Sequence, residues 1–219
     1  MARTRIKICC IGSAEEAELA SRAGADLLGL VGPMLSGPGT LELSKAARIA
    51  ERAPPWSRPV LLTASETADQ ILRDAETAGV GAVQVVRHIA PSEAERLGRL
   101  PLLYIQVLHV TGAECMDLIP LYSPHCDAFL LDSGRPEAAV LGGTGDPHDW
   151  ALSAEIVRRA PCPVFLAGGL DPANVARAIR QVRPFGVDVC SRLRPGGALS
   201  PDLLSGFVEA VGGALGEAA

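Results

Sequence analysis

Short β-prone runs and helix-like stretches alternate eight times along the chain, and that alternation constrains the fold most strongly. The runs are "RIKICC" (5–10), "DLLGLV" (26–31), "PVLLT" (59–63), "AVQVV" (82–86), "LLYIQV" (102–107), "AFLLD" (128–132), "PVFLA" (163–167) and "GVDVC" (186–190). Helix-like patterns fill 14–23, 42–53, 66–78, 91–98, 113–122, 150–160, 172–183 and 200–213, with Gly, Pro, Ser or Asp marking the switches. Asp171 before Pro172, and Ser200 before Pro201, read as N-caps followed by proline at the first helical position. With 219 residues there is room for eight strand–helix units in one domain spanning 1–219, so the expected fold is α/β, a single (β/α)8 TIM barrel. A doubly wound open sheet is the alternative, and the lack of a GxGxxG after the first strand disfavours it.

Composition narrows the function. A net charge of −5, with no basic-aromatic patch, argues against a nucleic-acid partner. No apolar run approaches the roughly 20 residues that span a bilayer, so no membrane partner is expected. The early residues lack a sustained apolar core, so no secretory leader is expected and a cytoplasmic location is. Six cysteines without disulfide-like spacing or a CxxC pair suggest reduced thiols and no metal.

Strand alternation then sorts the chemistry. In the first strand Ile6, Ile8 and Cys10 share the face expected to pack on helices, where Cys10 is a small buried hydrophobe. Lys7 and Cys9 share the interior face, with Cys9 near the C-terminal rim, where barrels of this kind carry their active sites. A lysine at about 6–7 Å favours the Cys9 thiolate. In the sixth strand Ala128, Leu130 and Asp132 share a face, and Asp132 ends the strand at the same rim. One base and one acid at one barrel mouth suit proton transfer. Gly168 and Gly169 follow strand seven, while Cys190, Ser191 and Arg192 close strand eight, the usual phosphate loops of this fold. A second glycine cluster, "GGTGDPHDW" (142–150), carries Gly143 and His148, and Asp149 is placed to cap the helix opening at Trp150. His148 reads as a solvated loop side chain.

The motifs as a set resemble the phosphoribosylanthranilate isomerase family. "KICCIG" is similar to that family's "KICGIT", "LLDS…GGTGDPHDW" to "LLD…GGTGKTFDW", "LAGGLDPANVARAI" to "LSGGLNPENV…AI", and "RPFGVDVCSRLR" to "RPF.VDVSSGVE". The resemblance implies an Amadori rearrangement of a phosphoribosylamine to a ketose phosphate in tryptophan biosynthesis, without cofactor. It implies Cys9 as general base, Asp132 as general acid, and Gly168, Gly169 and Ser191 at the phosphate of a small phosphorylated substrate. Lys7, Gln84, Gly143, Asp188 and Arg192 complete the expected binding set, in a monomer or homodimer.

Departures keep two other readings open. The family's "SxR" arginine, which contacts the anthranilate carboxylate, has no counterpart in "MLSGPGTLELS" (34–44). In "VQVVR" (83–87) Gln84 is kept, but Val86 stands where the family's "VQLHG" has histidine. Arg192 replaces a phosphate-loop glycine, and Cys10 the glycine after the cysteine. The other readings are an isomerase of another aminoaldose or sugar phosphate, and a non-catalytic barrel that binds a phosphorylated metabolite.

Overall fold

A computed structural model describes residues 3–34, 39–133 and 149–214. Eight parallel strands close on themselves in chain order, the last pairing with the first. They are β1 (Arg5–Ile8), β2 (Leu27–Val31), β3 (Arg58–Thr63), β4 (Ala82–Val85), β5 (Leu103–His109), β6 (Ala128–Asp132), β7 (Val164–Leu166) and β8 (Gly186–Val189). The intervening helices are α1 (Ala14–Ala23), α2 (Leu43–Arg52), α3 (Ala68–Thr77), α4 (Pro91–Leu97), α5 (Leu118–Tyr122), α6 (Trp150–Arg159), α7 (Val175–Val182) and α8 (Pro201–Gly213). The expected (β/α)8 barrel is the observed one.

Period-two alternation builds two cores from one sheet. Outward residues such as Ile6, Ile8, Val83, Val85, Phe129, Leu131, Val187 and Val189 pack under the helices. Inward residues such as Val60, Leu62, Ala82, Ile105, Val107, Ala128, Leu130 and Phe165 fill the barrel. Each strand therefore delivers its last inward residue to one rim, and the site is made of those residues.

Local capping follows the sequence in several places. Ser13 accepts from Glu16 N, Ser200 from Leu203 N, and Asp149 from Ala151 N and Leu152 N. Two expectations need correction. Asp171 does hold backbone N–H groups, those of Ala173 and Asn174 at 2.8 and 2.9 Å, but they belong to a turn and α7 begins only at Val175. The single helix expected over 113–122 is a 3-10 turn (Ala113–Asp117) running into the short α5.

Candidate active site

A cavity at the rim brings together residues from most strand ends, including Cys9, Gln84, Asp132, Gly168, Gly169, Asp188, Ser191 and Arg192. All are site residues expected from the sequence. Lys7 lies just beneath, fully buried. Gly143 and His148 fall outside the described residues.

β1 supplies the thiol and its electrostatics. Lys7 Nζ donates to Asp188 Oδ1 of β8 at 3.0 Å, across a register that pairs the two residues. Burial alone would lower the lysine, but Asp188 and Cys9 together outweigh it and keep the ammonium charged. Cys9 continues the ladder beyond the end of β1, its N–H donating to the Val189 carbonyl at 2.9 Å. Opposite, Gly29 of β2 makes room for both groups. A Cβ there would stand 2.9 Å from Cys9 Sγ and 3.2 Å from Lys7 Nζ. The thiol is held well below the ordinary cysteine range, first by the Cys10 and Cys190 thiols that hydrogen-bond to it and then, against burial, by Lys7. Two thiol hydrogen bonds and a nearby ammonium thus favour its ionised form.

Cys10 departs from the expected outward packing. It is buried, yet it lines the cavity with Cys9 and Cys190. The cause is a left-handed backbone, φ 60°, which breaks strand alternation at that residue. That conformation is the one glycine adopts without strain, and it accounts for glycine being the residue that Cys10 replaces. Gly39, at φ 72°, crosses over it, where a Cβ would stand 3.1 Å from Cys10 Cβ.

Asp132 ends β6 facing the same cavity, and its Oδ1 accepts from the Ser133 N–H at 2.8 Å. Burial raises its carboxyl above the usual range and the nearby Cys9 adds to this, offset in part by the His109 ring, the Ser133 N–H and Lys7. The rim thus carries a thiol biased toward ionisation and a carboxyl biased toward protonation, the two tendencies that a base and an acid need.

The β7 and β8 loops face this pair. Gly168 and Gly169 have φ 82° and 65°, so only glycine takes both positions without strain. Asn174 fixes the turn, its Nδ2 donating to the Gly169 carbonyl at 2.8 Å and its Oδ1 accepting from Asp171 N at 2.9 Å. Ser191 and Arg192 open a short 3-10 turn after β8. Behind them Arg194 bridges to β1, donating to the Cys9 carbonyl at 3.2 Å and to Glu16 Oε1 at 2.8 Å.

His109 was not expected from the sequence. It is buried at the end of β5 and lines the cavity. Reading that strand as ending at 107 stopped short of it. Continuing the inward series Leu103, Ile105, Val107 by one step reaches the ring.

A barrel whose rim joins a thiol biased toward ionisation, a carboxyl biased toward protonation and a glycine turn after β7 fits the class of (β/α)8 acid–base enzymes. The model of one family within that class, N-(5'-phosphoribosyl)anthranilate (PRA) isomerase, matches residues 6–210. The chain is 35% identical to the N-(5'-phosphoribosyl)anthranilate isomerase of Natronomonas pharaonis over 212 residues, 96% of this chain and 99% of that protein. It is also 35% identical to N-(5'-phosphoribosyl)anthranilate isomerase 2 of Methanosarcina mazei, over 87% of this chain and 85% of that one. Among solved structures, the phosphoribosyl anthranilate isomerase of Thermotoga maritima superposes with a TM-score of 0.83 at 29% identity, covering 96% of this chain and 99% of its own. A phosphoribosyl anthranilate isomerase in complex with reduced 1-(o-carboxyphenylamino)-1-deoxyribulose 5-phosphate superposes at 0.80, with 27% identity and 96% and 99% coverage. The chain belongs to the phosphoribosylanthranilate isomerase family.

Proposed function

We propose that the protein isomerises N-(5'-phosphoribosyl)anthranilate to the corresponding 1-amino-1-deoxyketose phosphate, a step of tryptophan biosynthesis, in the cytoplasm. The observation that carries this reading is the pairing of a stabilised Cys9 thiolate with a protonation-biased Asp132 across one cavity. Asp132 gives its proton to the ribose ring oxygen. The C1–O bond breaks with its electrons going to that oxygen, and the anthranilate nitrogen lone pair forms the C=N bond. Cys9 then takes the C2 proton, whose electrons form the C1–C2 double bond of an enaminol as the iminium is neutralised. Tautomerisation of the enaminol gives the ketone at C2. The backbone at Gly168 and Gly169, the Ser191 hydroxyl and the Arg192 guanidinium bind the phosphate, and Gly143 adds to that set from beyond the described residues. Gln84, whose Oε1 is buried with no hydrogen-bond partner among the described residues, is left to accept from a substrate hydroxyl.

The test is turnover of freshly prepared phosphoribosylanthranilate, followed by loss of anthranilate fluorescence. Cys9→Ala and Asp132→Asn each lower kcat by roughly 10²- to 10⁴-fold if they are the base and the acid. Full activity in both variants refutes the mechanism. A folded wild-type protein that binds sugar phosphates without turning over this substrate shifts the assignment to another aminoaldose phosphate, the outcome that the arginine-free 34–44 segment favours.

A further inference from the structure

Two further thiols stand beside Cys9 at the barrel mouth, and the mechanism above gives them no chemistry of their own. Cys9, Cys10 and Cys190 all line the cavity and pack in the same inward cluster. The side chains of Cys10 and Cys190 hydrogen-bond to Cys9 and to each other. The resembled motifs "KICGIT" and "VDVSSGVE" carry glycine and serine where this chain has Cys10 and Cys190, so acid–base chemistry at such a rim requires neither sulfur.

The β1–β8 seam decides which pair can bond. Register matches Ile8 with Val189, and the Cys9 N–H donates to the Val189 carbonyl at 2.9 Å, so the next residue along each chain brings Cys9 beside Cys190. Neighbouring strands lie about 4.8 Å apart, inside the roughly 4.4–6.8 Å between Cα atoms that a disulfide spans. Cys10 is the poorer partner, because consecutive Cα atoms are only about 3.8 Å apart. Cys9 is also the thiol an oxidant meets first. It is biased toward ionisation, and it faces the cavity that admits substrate.

We propose that Cys9 and Cys190 form a reversible redox pair with Cys190 as the resolving thiol, so that a peroxide arrests the enzyme without destroying its base. The proposal rests on the base role given to Cys9 above. The Cys9 thiolate attacks one oxygen of hydrogen peroxide, and the O–O bond breaks with its electrons going to the other oxygen. That oxygen takes a proton and leaves as water, and Cys9 becomes a sulfenic acid. The Cys190 sulfur then attacks the Cys9 sulfur. The S–O bond breaks, the hydroxyl leaves as water with the Cys190 proton, and the disulfide forms. Two electrons have passed from the two sulfurs to the peroxide, and a dithiol returns them. While the bond stands, Cys9 cannot take the C2 proton. Without Cys190, further peroxide carries the sulfenic acid to sulfinic acid, which thiols do not reverse.

The purified protein is held in excess hydrogen peroxide until turnover of phosphoribosylanthranilate is lost, then treated with dithiothreitol, each variant measured against its own untreated rate. The wild type is expected to regain most of its turnover, and Cys190→Ala only a minor part. Cys10→Ala is expected to recover as the wild type does. Undiminished recovery in Cys190→Ala, or recovery lost in Cys10→Ala instead, overturns the pairing. Peptide mapping of the unreduced wild type gives a readout that needs no variant to fold. The Cys9 and Cys190 peptides should be joined, lighter by two hydrogen atoms than their sum. Mapping also separates this bond from one between Cys126 and Cys162, whose side chains hydrogen-bond to each other. A cross-link found only there, or sulfinic acid at Cys9 of the wild type, overturns the proposal. A complete Cys9–Cys190 cross-link with undiminished turnover refutes the base role of Cys9 and the arrest with it. An inactive Cys9→Ala beside a wild type that forms no cross-link refutes the redox pair alone.

Discussion

Replacing Lys7 by methionine tests how the barrel interior controls its thiol. Two steps along the strand separate Lys7 from Cys9, about 6–7 Å. The clearance at Gly29 shows that both groups reach the same spot, with Sγ and Nζ 2.9 and 3.2 Å from a Cβ placed there. At an effective dielectric of about 20, unit charges at that range interact by about 2.5 kcal/mol, or about two pH units. The ammonium is fully buried, so solvent screens little of this. Lys7→Met should therefore move the rising limb of kcat/KM, which reports Cys9 ionisation in the free enzyme, up by about two pH units. The falling limb follows in the same direction by less, since Lys7 also lowers Asp132. The variant leaves the Asp188 carboxyl buried without its cation, a loss of about 3–5 kcal/mol of stability. The double variant Lys7→Met/Asp188→Asn removes that stranded charge, so it should recover much of the stability and, because Asp188 and an ionised Cys9 repel, part of the pH shift. Both are read from initial rates of fluorescence loss against pH, beside the pH dependence of Cys9 alkylation measured by peptide mapping. A folded variant with an unmoved alkylation curve and rising limb refutes electrostatic control by Lys7.

Other perturbations probe the same rim. Cys190→Ala removes a thiol that hydrogen-bonds to Cys9, so the Cys9 alkylation curve should move to higher pH, and Cys190→Ser should restore part of the shift. Gly29→Ala places a methyl group 2.9 Å from Cys9 Sγ and 3.1 Å from Cys9 Cα, closer than real Cβ contacts allow, so kcat should fall at least tenfold and the overpacked β1–β2 contact should lower the melting temperature. Glu16 is held below the usual glutamate range: burial raises it, but Arg194 and the N–H groups of Gly12 and Leu199 outweigh that. A depressed carboxylate stabilises the fold above its unfolded value, and the contribution is lost as pH falls through the lower folded value. The acid-unfolding midpoint of Glu16→Gln should therefore depend less on pH below the usual glutamate range than that of wild type, and an unchanged dependence would refute the linkage.

The barrel was legible because period-two alternation, repeated between capped helices, has few other solutions. Lys7 and Cys9 could be placed inward, and Asp132 beside them, by counting residues along strands. The same rule failed at Cys10, where φ 60° interrupts the strand, since nothing in a run of apolar residues announces a left-handed residue other than glycine. It missed His109 for a different reason. "LLYIQVLHV" was closed at 107, although the inward parity ran on to 109, and the polarity of a terminal histidine masked a strand residue. Arg194 was invisible because its partners, Glu16 and the Cys9 carbonyl, stand almost a full chain length away and meet only when β8 closes on β1.

Closure of the barrel is therefore part of the chemistry. The register that pairs Lys7 with Asp188 also carries the Cys9 N–H to Val189, so the ion pair and the thiol are set by the same seam. Arg194, reaching from the segment after β8, ties the Cys9 carbonyl to Glu16 at the start of α1. The thiolate thus depends on contacts that exist only once the first and last strands have met. The acid lies on the opposite arc, where the register of β5 and β6 and short local hydrogen bonds fix Asp132 and His109. Perturbing the β1–β8 seam should consequently shift the thiol's ionisation and the global stability together. Perturbing the β5–β6 pair should reach the acid with little change in the unfolding transition.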